Sequence, residues 1–316
     1  MRHGILTLLV FLGLAAVPLV AWASGEAYLV ESTSRLIVFA LAASSLNFIT
    51  GYGGMVSLGQ AMFLGLGAYT VGILAHHGIE NGFLQLAIMV AITAVAAAFV
   101  ASIALRATGI FFIMITLALA QIFYYLAVSS STYGGEEGLP LMSRSVFFAP
   151  IDLYDPYQLY AVCLGALALC LFLQWRILRS PFGQVLVSVR ENERRAKAIG
   201  YNTFAYKLAA IVISGTMCGL AGFLLANLSD FVGPDYGYWY RSGELLVMVL
   251  LGGMGTLIGP VLGALTFLSL EHWVASKTQY WGLVIGPFLM IVVLASRGGI
   301  VGLIDALADL MRRRPS

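Results

Sequence analysis

Long continuous apolar runs recur along this chain, separated by short polar or glycine-containing stretches. Runs of this length read as membrane-spanning helices, since about twenty apolar residues are needed to cross a bilayer. The pattern predicts segments over Gly4 to Ala23, Arg35 to Thr50, Leu58 to His77, Phe83 to Leu105, Gly109 to Val128, Tyr157 to Trp175 and Tyr206 to Asn227. A short pair follows, around Glu244 to Met254 and Thr256 to Trp273, and then Tyr280 to Ser296, which makes ten segments. A transmembrane barrel would instead show weakly alternating stretches of about ten residues. The expected fold is therefore all-α: a polytopic helical bundle forming one transmembrane domain over residues 1–316.

The one long polar interruption deep in the chain is Arg176 to Lys207. Its cations are Arg176, Arg179, Arg190, Arg194, Arg195, Lys197 and Lys207, against Glu191 and Glu193. The positive-inside rule places this run in the cytoplasm. With both termini also inside, thirteen Lys and Arg fall on the inner side and four (Arg35, Arg144, Arg241, Lys277) on the outer. Pro181 suits a first helical turn and Gly200-Tyr201-Asn202 a stop. Between them Val185, Leu186, Val189, Ala196 and Ile199 can share one face of a short amphipathic helix. Such a face fits either a protein partner or anionic lipid headgroups.

The N-terminal run ends in Ala21-Trp22-Ala23, which imitates a signal-peptidase site. It reads as a retained span, because it is long enough to cross and other spans follow it.

Composition supports the membrane assignment: 60% of the 316 residues are hydrophobic and 10% charged, with a mean hydropathy of +0.92. A net charge of +2 gives no basis for nucleic-acid binding. Cys163, Cys170 and Cys218 lie in apolar runs without CxxC spacing, so they support neither a disulfide framework nor a zinc site. His76 and His77 are adjacent and point about 100° apart on a helix, a poor arrangement for sharing a metal.

Gly53-Gly54-Met55-Val56-Ser57-Leu58 reappears as Gly252-Gly253-Met254-Gly255-Thr256-Leu257, at a constant offset of 199 residues. Glycine costs a helix about 1 kcal/mol per residue, so both copies predict broken helices. Non-helical backbone at membrane depth is tolerated where protein buries it or where it lines a watery cavity. The glycines serve close helix packing, a pathway, or both. Candidate pathway residues are Asn47, Gly53, Gly54, Ser57, Gln60, Thr116, Gln121, Gly252, Gly253 and Thr256. Ser214 and Asn227 add further neutral polar groups within the spans. The lack of ionisable groups among them argues against proton or sodium coupling and for energy supplied from elsewhere.

Two outer loops stand out, residues 129–156 and 229–241, both rich in Gly, Pro and Tyr. Glu136, Glu137, Asp235 and Tyr236 are their candidate docking residues for an external partner.

These residues resemble the membrane permease subunits of ATP-binding-cassette (ABC) importers for branched-chain amino acids. Three motifs carry the resemblance and together span nearly the whole chain. They are Asn47 to Gln60 (NFITGYGGMVSLGQ) continued by Gly65 to Thr70; Arg190 to Glu193 with Gly200, Tyr206 to Leu208 and Gly219 to Gly222; and Leu251 to Ala264 (LGGMGTLIGPVLGA). One departure is Gln60, where many family members carry histidine. The resemblance implies that the central segment holds a coupling helix seated on an ATP-binding subunit, with Arg190, Glu191, Asn192, Glu193, Arg194, Arg195, Lys197 and Gly200 as coupling residues. It also implies two ATP-binding subunits, a second homologous permease and an external substrate-binding protein. The chain has no GxxxxGK[ST] phosphate loop, so ATP and magnesium belong to the partners and the chain is itself no enzyme. The bacterial inner membrane is the implied location, with import of urea or short amides, or an ATP-independent solute channel or carrier, as rival readings.

Overall fold

Polar caps set where the long helices begin. Asn81 accepts from the amides of Phe83 (3.1 Å) and Leu84 (3.3 Å) to start one helix, and Asp155 accepts from Tyr157 (3.0 Å) just before Pro156 at the start of another. Each cap satisfies amides that the first helical turn leaves without partners. The computed structural model describes residues 2–25, 27–147, 152–280, 282–287, 290 and 298–312.

The chain is an all-α membrane bundle. In order the helices are α1 (Arg2–Ser24), α2 (Ala27–Asn47) running on through a π-helical turn at Phe48–Tyr52, α3 (Gln60–His76), α4 (Gly82–Ala104), α5 (Ile110–Ser129) and α6 (Pro156–Arg179). Then follow α7 (Pro181–Glu191), α8 (Glu193–Ala198), α9 (Thr203–Ser229), α10 (Trp239–Gly252), α11 (Gly259–Ala275) and α12 (Gly299–Arg312). Among the described residues six helices are long and apolar enough to cross a membrane: α1, α2 with its π turn, α4, α5, α6 and α9. Helices α3, α10 and α11 account for three further expected segments at 17, 14 and 17 residues. The tenth, Tyr280 to Ser296, lies mostly outside the described residues, of which 282–287 are helical. The second segment starts earlier than its hydropathy suggests, so Glu31 and Arg35 sit within α2.

Helices α2 and α9 form the buried centre, while α1 and α5 present mostly exposed apolar side chains. Lipid tails are as apolar as leucine, so packing inside a bilayer depends on close approach rather than on water exclusion. Gly67 of α3 lies directly on the Gly219 backbone of α9, and any Cβ there would overlap the Gly219 carbonyl.

The repeat is structural as well as textual. Helices α3 and α11 are each 17 residues long and start 199 residues apart, at Gln60 and Gly259. Gly54 and Gly253, equivalent in the two copies, both take positive φ, +68° and +119°, which L side chains rarely adopt. Ser57 Oγ accepts from the Gly59 amide (3.1 Å), and its counterpart Thr256 Oγ1 accepts from the Gly259 amide (3.1 Å). Each unit is thus a helix, a glycine break and a returning helix, with the two units running in the same direction.

Asn47 joins the two breaks. Its Oδ1 accepts from the Gly255 amide (2.9 Å) and its Nδ2 donates to the Thr256 carbonyl (2.9 Å). A Cβ on Gly51 would collide with the Gly255 backbone, so the breaks touch without intervening side chains. Replacing Asn47 with leucine orphans one buried donor and one acceptor. That variant should lose about 2–4 kcal/mol of stability, read as a lowered thermal unfolding midpoint in nanodiscs. An unchanged midpoint would mean that the breaks hold themselves together.

Candidate functional site

The segment between α6 and α9 folds as two helices rather than the single amphipathic one expected. Asn192 ends α7 and caps α8, accepting from the Arg195 amide (3.0 Å). Val185, Leu186, Val189 and Ala196 are buried as their spacing predicts. Ile199 is 67% exposed, because the break at Asn192 shifts the helical phase and leaves Ile199 as the end of α8. Glu191, Arg194, Arg195 and Lys197 are exposed, as is Gly200, whose φ of +94° turns the chain into α9.

Glu193 fastens this segment to α9. Its carboxylate pairs with Lys207 and with Lys197 (2.9 Å) and accepts from Thr203 Oγ1 (3.1 Å). Burial raises the carboxyl's pKa, but the hydrogen bonds from Lys207 and Lys197 outweigh this and bring it down to about 2.

Arg190, exposed as a residue, turns its guanidinium the other way, toward the bundle. Its guanidinium donates to the Gly51 carbonyl at the first break, and its stem lies where a Cβ on Gly54 would be. A Cβ on Gly255, in the second break, would sit 3.6 Å from the same guanidinium. One side chain of the basic segment therefore reaches both glycine breaks.

The expected pathway residues divide into two groups. Asn47, Ser57 and Thr256 spend their side-chain polar atoms on packing, as does Gln60 through its Nε2, while Gln60 Oε1 is buried without a hydrogen-bond partner. Gln60 Nε2 donates to Ser45 Oγ (3.0 Å) and Ser214 Oγ (2.9 Å), joining α3 to α2 and α9. Gly252 packs against the Gly259 carbonyl, and Gly253 lies against Gly298 at the start of α12. Thr116 holds α5 to the first break by accepting from the Leu58 amide (3.3 Å). Gln121, one turn further along α5, keeps its Oε1 buried without a hydrogen-bond partner.

Gly53 and Gly54 line a cavity of about 440 Å³ together with the α4–α5 turn, Arg190, Glu193 and Lys207. A second cavity of about 350 Å³ lies at the far end of α3 and α5, walled by Met62, Leu66, Tyr69, Phe123 and Tyr124. Between the two cavities, Gly59 lies against the Thr116 backbone.

The loops 129–156 and 229–241 meet rather than project separately. Leu139–Pro140 (β1) pairs antiparallel with Phe231–Val232 (β2). Arg144 grips Asp230 through two hydrogen bonds of 2.6 and 2.5 Å and donates to the Leu153 carbonyl at 2.6 Å. Asp230 occupies the left-handed region at φ +50°, where the salt bridge holds it. Glu136, Glu137 and Asp235 are exposed on this platform, and Tyr236 is half-buried beside them.

Sequence reasoning overlooked several buried polar groups. Ser145 ties its loop to two helices: its amide donates to Asn227 Oδ1 of α9 (2.8 Å) and its hydroxyl to Gln85 Oε1 of α4 (2.5 Å). Gln174 donates to the Ser44 carbonyl (3.1 Å), and Glu244, only 6% exposed, pairs with Arg241 at 2.8 Å. In the sequence Glu244 marks only the start of a span, and Arg241 three residues earlier is the signal for an i,i+3 pair.

A family model for the permease component of branched-chain amino acid transport systems matches residues 28–294. This chain belongs to that family. Relatives include the high-affinity branched-chain amino acid transport system permease protein LivM of Escherichia coli K12, 26% identical over 290 residues, covering 84% of this chain and 68% of that protein. The protein of the same name from Salmonella typhimurium is 27% identical over the same extent. The autoinducer 2 import system permease protein LsrC of Photorhabdus laumondii is 28% identical over 137 residues, 41% of each chain. No solved structure matches.

The Glu193 anchor has a pH signature. Its carboxyl titrates below the ordinary 4.5, so its stabilising contribution is complete above that pH and is lost as pH falls through about 2. The difference in unfolding midpoint between the natural chain and Glu193→Gln should therefore be constant from pH 7 to 5 and shrink below 4.5. A difference that grows on acidification would contradict the anchor.

Proposed function

We propose that this chain is the membrane-embedded permease subunit of an ATP-binding-cassette importer, carrying branched-chain or related small hydrophobic amino acids inward across the bacterial inner membrane. It works with two ATP-binding subunits, a second homologous permease and an external substrate-binding protein. ATP and magnesium act in the ATP-binding subunits, and this chain transmits their motion. Both of its termini are cytoplasmic, as is the α7–α8 segment, and the β1–β2 platform faces outward.

The observation that carries this reading is the reach of Arg190 from the basic segment to the Gly51 carbonyl. An ATP-binding subunit that moves α7 pulls directly on the first glycine break, and through Asn47 on the second. The exposed Glu191, Arg194, Arg195 and Lys197 face the partner, while Asn192 shapes the segment and Glu193 ties it to α9. Glycine breaks suit this task, since backbone without side chains can re-pack between two arrangements. On the outer side Glu136, Glu137, Asp235 and Tyr236 lie on one platform that offers the binding protein a single surface.

Solute moves along the α3–α5 side of the chain, past Thr116 and Gln121, between the outer and inner cavities. The branched-chain permeases match over 84% of this chain and the autoinducer 2 permease over 41%, which favours an amino acid as the solute.

Co-expression with the neighbouring genes should yield a complex containing ATP-binding subunits and a second permease, with ATP hydrolysis stimulated by a leucine-loaded binding protein. Purification of the chain alone, with ATP-independent solute flux, would favour a channel. Within the complex, Arg190→Ala should leave assembly intact and reduce leucine import about tenfold, the scale of a 1–2 kcal/mol coupling. Normal import by that variant would remove Arg190 from the transmission route.

A further inference from the structure

The outer cavity is lined by more than apolar wall. Met62, Leu66 and Ile73 of α3 face Phe123 and Leu126 of α5 across about 350 Å³, within the roughly 300–1,000 Å³ typical of small-molecule sites. Into this lining α3 also contributes Tyr69, whose hydroxyl is buried and has no hydrogen-bond partner. A buried hydroxyl without a partner is unfavourable, so the arrangement favours a ligand that supplies one. The 3₁₀ turn Pro234–Gly237 closes the cavity from the loop side, and it carries the exposed Asp235, which pairs with Arg241 at 3.6 Å. Charges of both signs thus stand beside a cavity with an apolar interior and one free hydroxyl.

We infer that this cavity is a receiving site within the permease for an aliphatic α-amino acid, its side chain among Leu66, Ile73 and Phe123 and its polar end at Tyr69 Oη. The inference rests on the importer reading and deepens it. An aliphatic amino acid presents what the cavity lacks: a compact apolar group and a charged end able to bond the hydroxyl. Affinity at a single hydroxyl is modest, which suits a site that must release its solute. None of the residues involved belongs to the two glycine breaks or to the α7–α8 segment, so occupancy can be tested without disturbing transmission.

The test is photolabelling of the intact complex in nanodiscs with photo-leucine, a diazirine analogue of leucine, without ATP. Label should appear in the peptides containing residues 62–73 and 123–133 and disappear with excess leucine. Tyr69→Phe should weaken leucine competition about fivefold, the loss of one hydrogen bond. Ala127→Phe, which fills the cavity from α5, should abolish the label and reduce import of leucine more than import of alanine. Label confined to other segments, or label that excess leucine does not displace, as for a pocket filled by lipid chains, would overturn the site. So would equal loss of leucine and alanine import in Ala127→Phe together with unchanged competition in Tyr69→Phe. A complex that labels as described but fails to import any amino acid on ATP addition would instead overturn the importer reading while leaving the binding site standing.

Discussion

The side chain of Asn47 is the interaction on which the rest of this structure depends. It uses both its donor and its acceptor on the second glycine break while standing at the end of the helix that leads into the first. The two repeat units also meet through the packing of α2 on α10 and α11 and through Ser242 Oγ, which accepts from the Ala61 amide (2.9 Å), but at the breaks themselves the facing surface is glycine backbone, which packs closely but specifies little. A bidentate amide in a buried setting supplies the missing register, because each unmade bond there costs more than it would in water. The position equivalent to Asn47 in the second unit is Leu246, so the joint is built from one side only.

Arg190 extends that joint beyond the bundle. The α7–α8 segment is anchored on both sides of its central break, by Arg190 of α7 on Gly51 and by Glu193 of α8 on Lys207. The segment thus ties α9, through the Glu193–Lys207 ion pair, to the first glycine break, through the Arg190 hydrogen bond. Helices α3 and α9, locked by Gly67 on Gly219 and by the Gln60–Ser45–Ser214 hydrogen bonds, form the frame against which a displacement of this segment acts. The cavities lie on either side of the α3–α5 seam, at the edge of this frame rather than in its centre.

Much of this was legible in the sequence, and what was not has physical reasons. Apolar run length located the spans, and glycine doublets at a fixed offset located both breaks, because both signals are local. Asn47 and Gln60 drew notice as polar groups within apolar runs, but their partners lie 209 and 154 residues away, beyond the reach of pattern reading. The division of the basic segment at Asn192 was missed because the apolar spacing continues across it. Its signal was an N-cap residue followed by Glu-Arg-Arg, a helix start inside what read as a helix. Tyr69 stands in the sequence only as part of the Gly65–Thr70 motif, since one tyrosine in an apolar run announces no binding role until its hydroxyl is seen without a partner.

The central claim is that the two glycine breaks and the α7–α8 segment behave as one mechanical unit. Amide hydrogen exchange over residues 51–59 and 253–258, compared among the natural chain, Asn47→Ala and Arg190→Ala in nanodiscs, tests it most directly. The account requires that Asn47→Ala speeds exchange in both breaks together, and that Arg190→Ala loosens the first break and, through it, the second. Faster exchange confined to the break nearest each substitution would contradict it, leaving two independent hairpins that happen to touch.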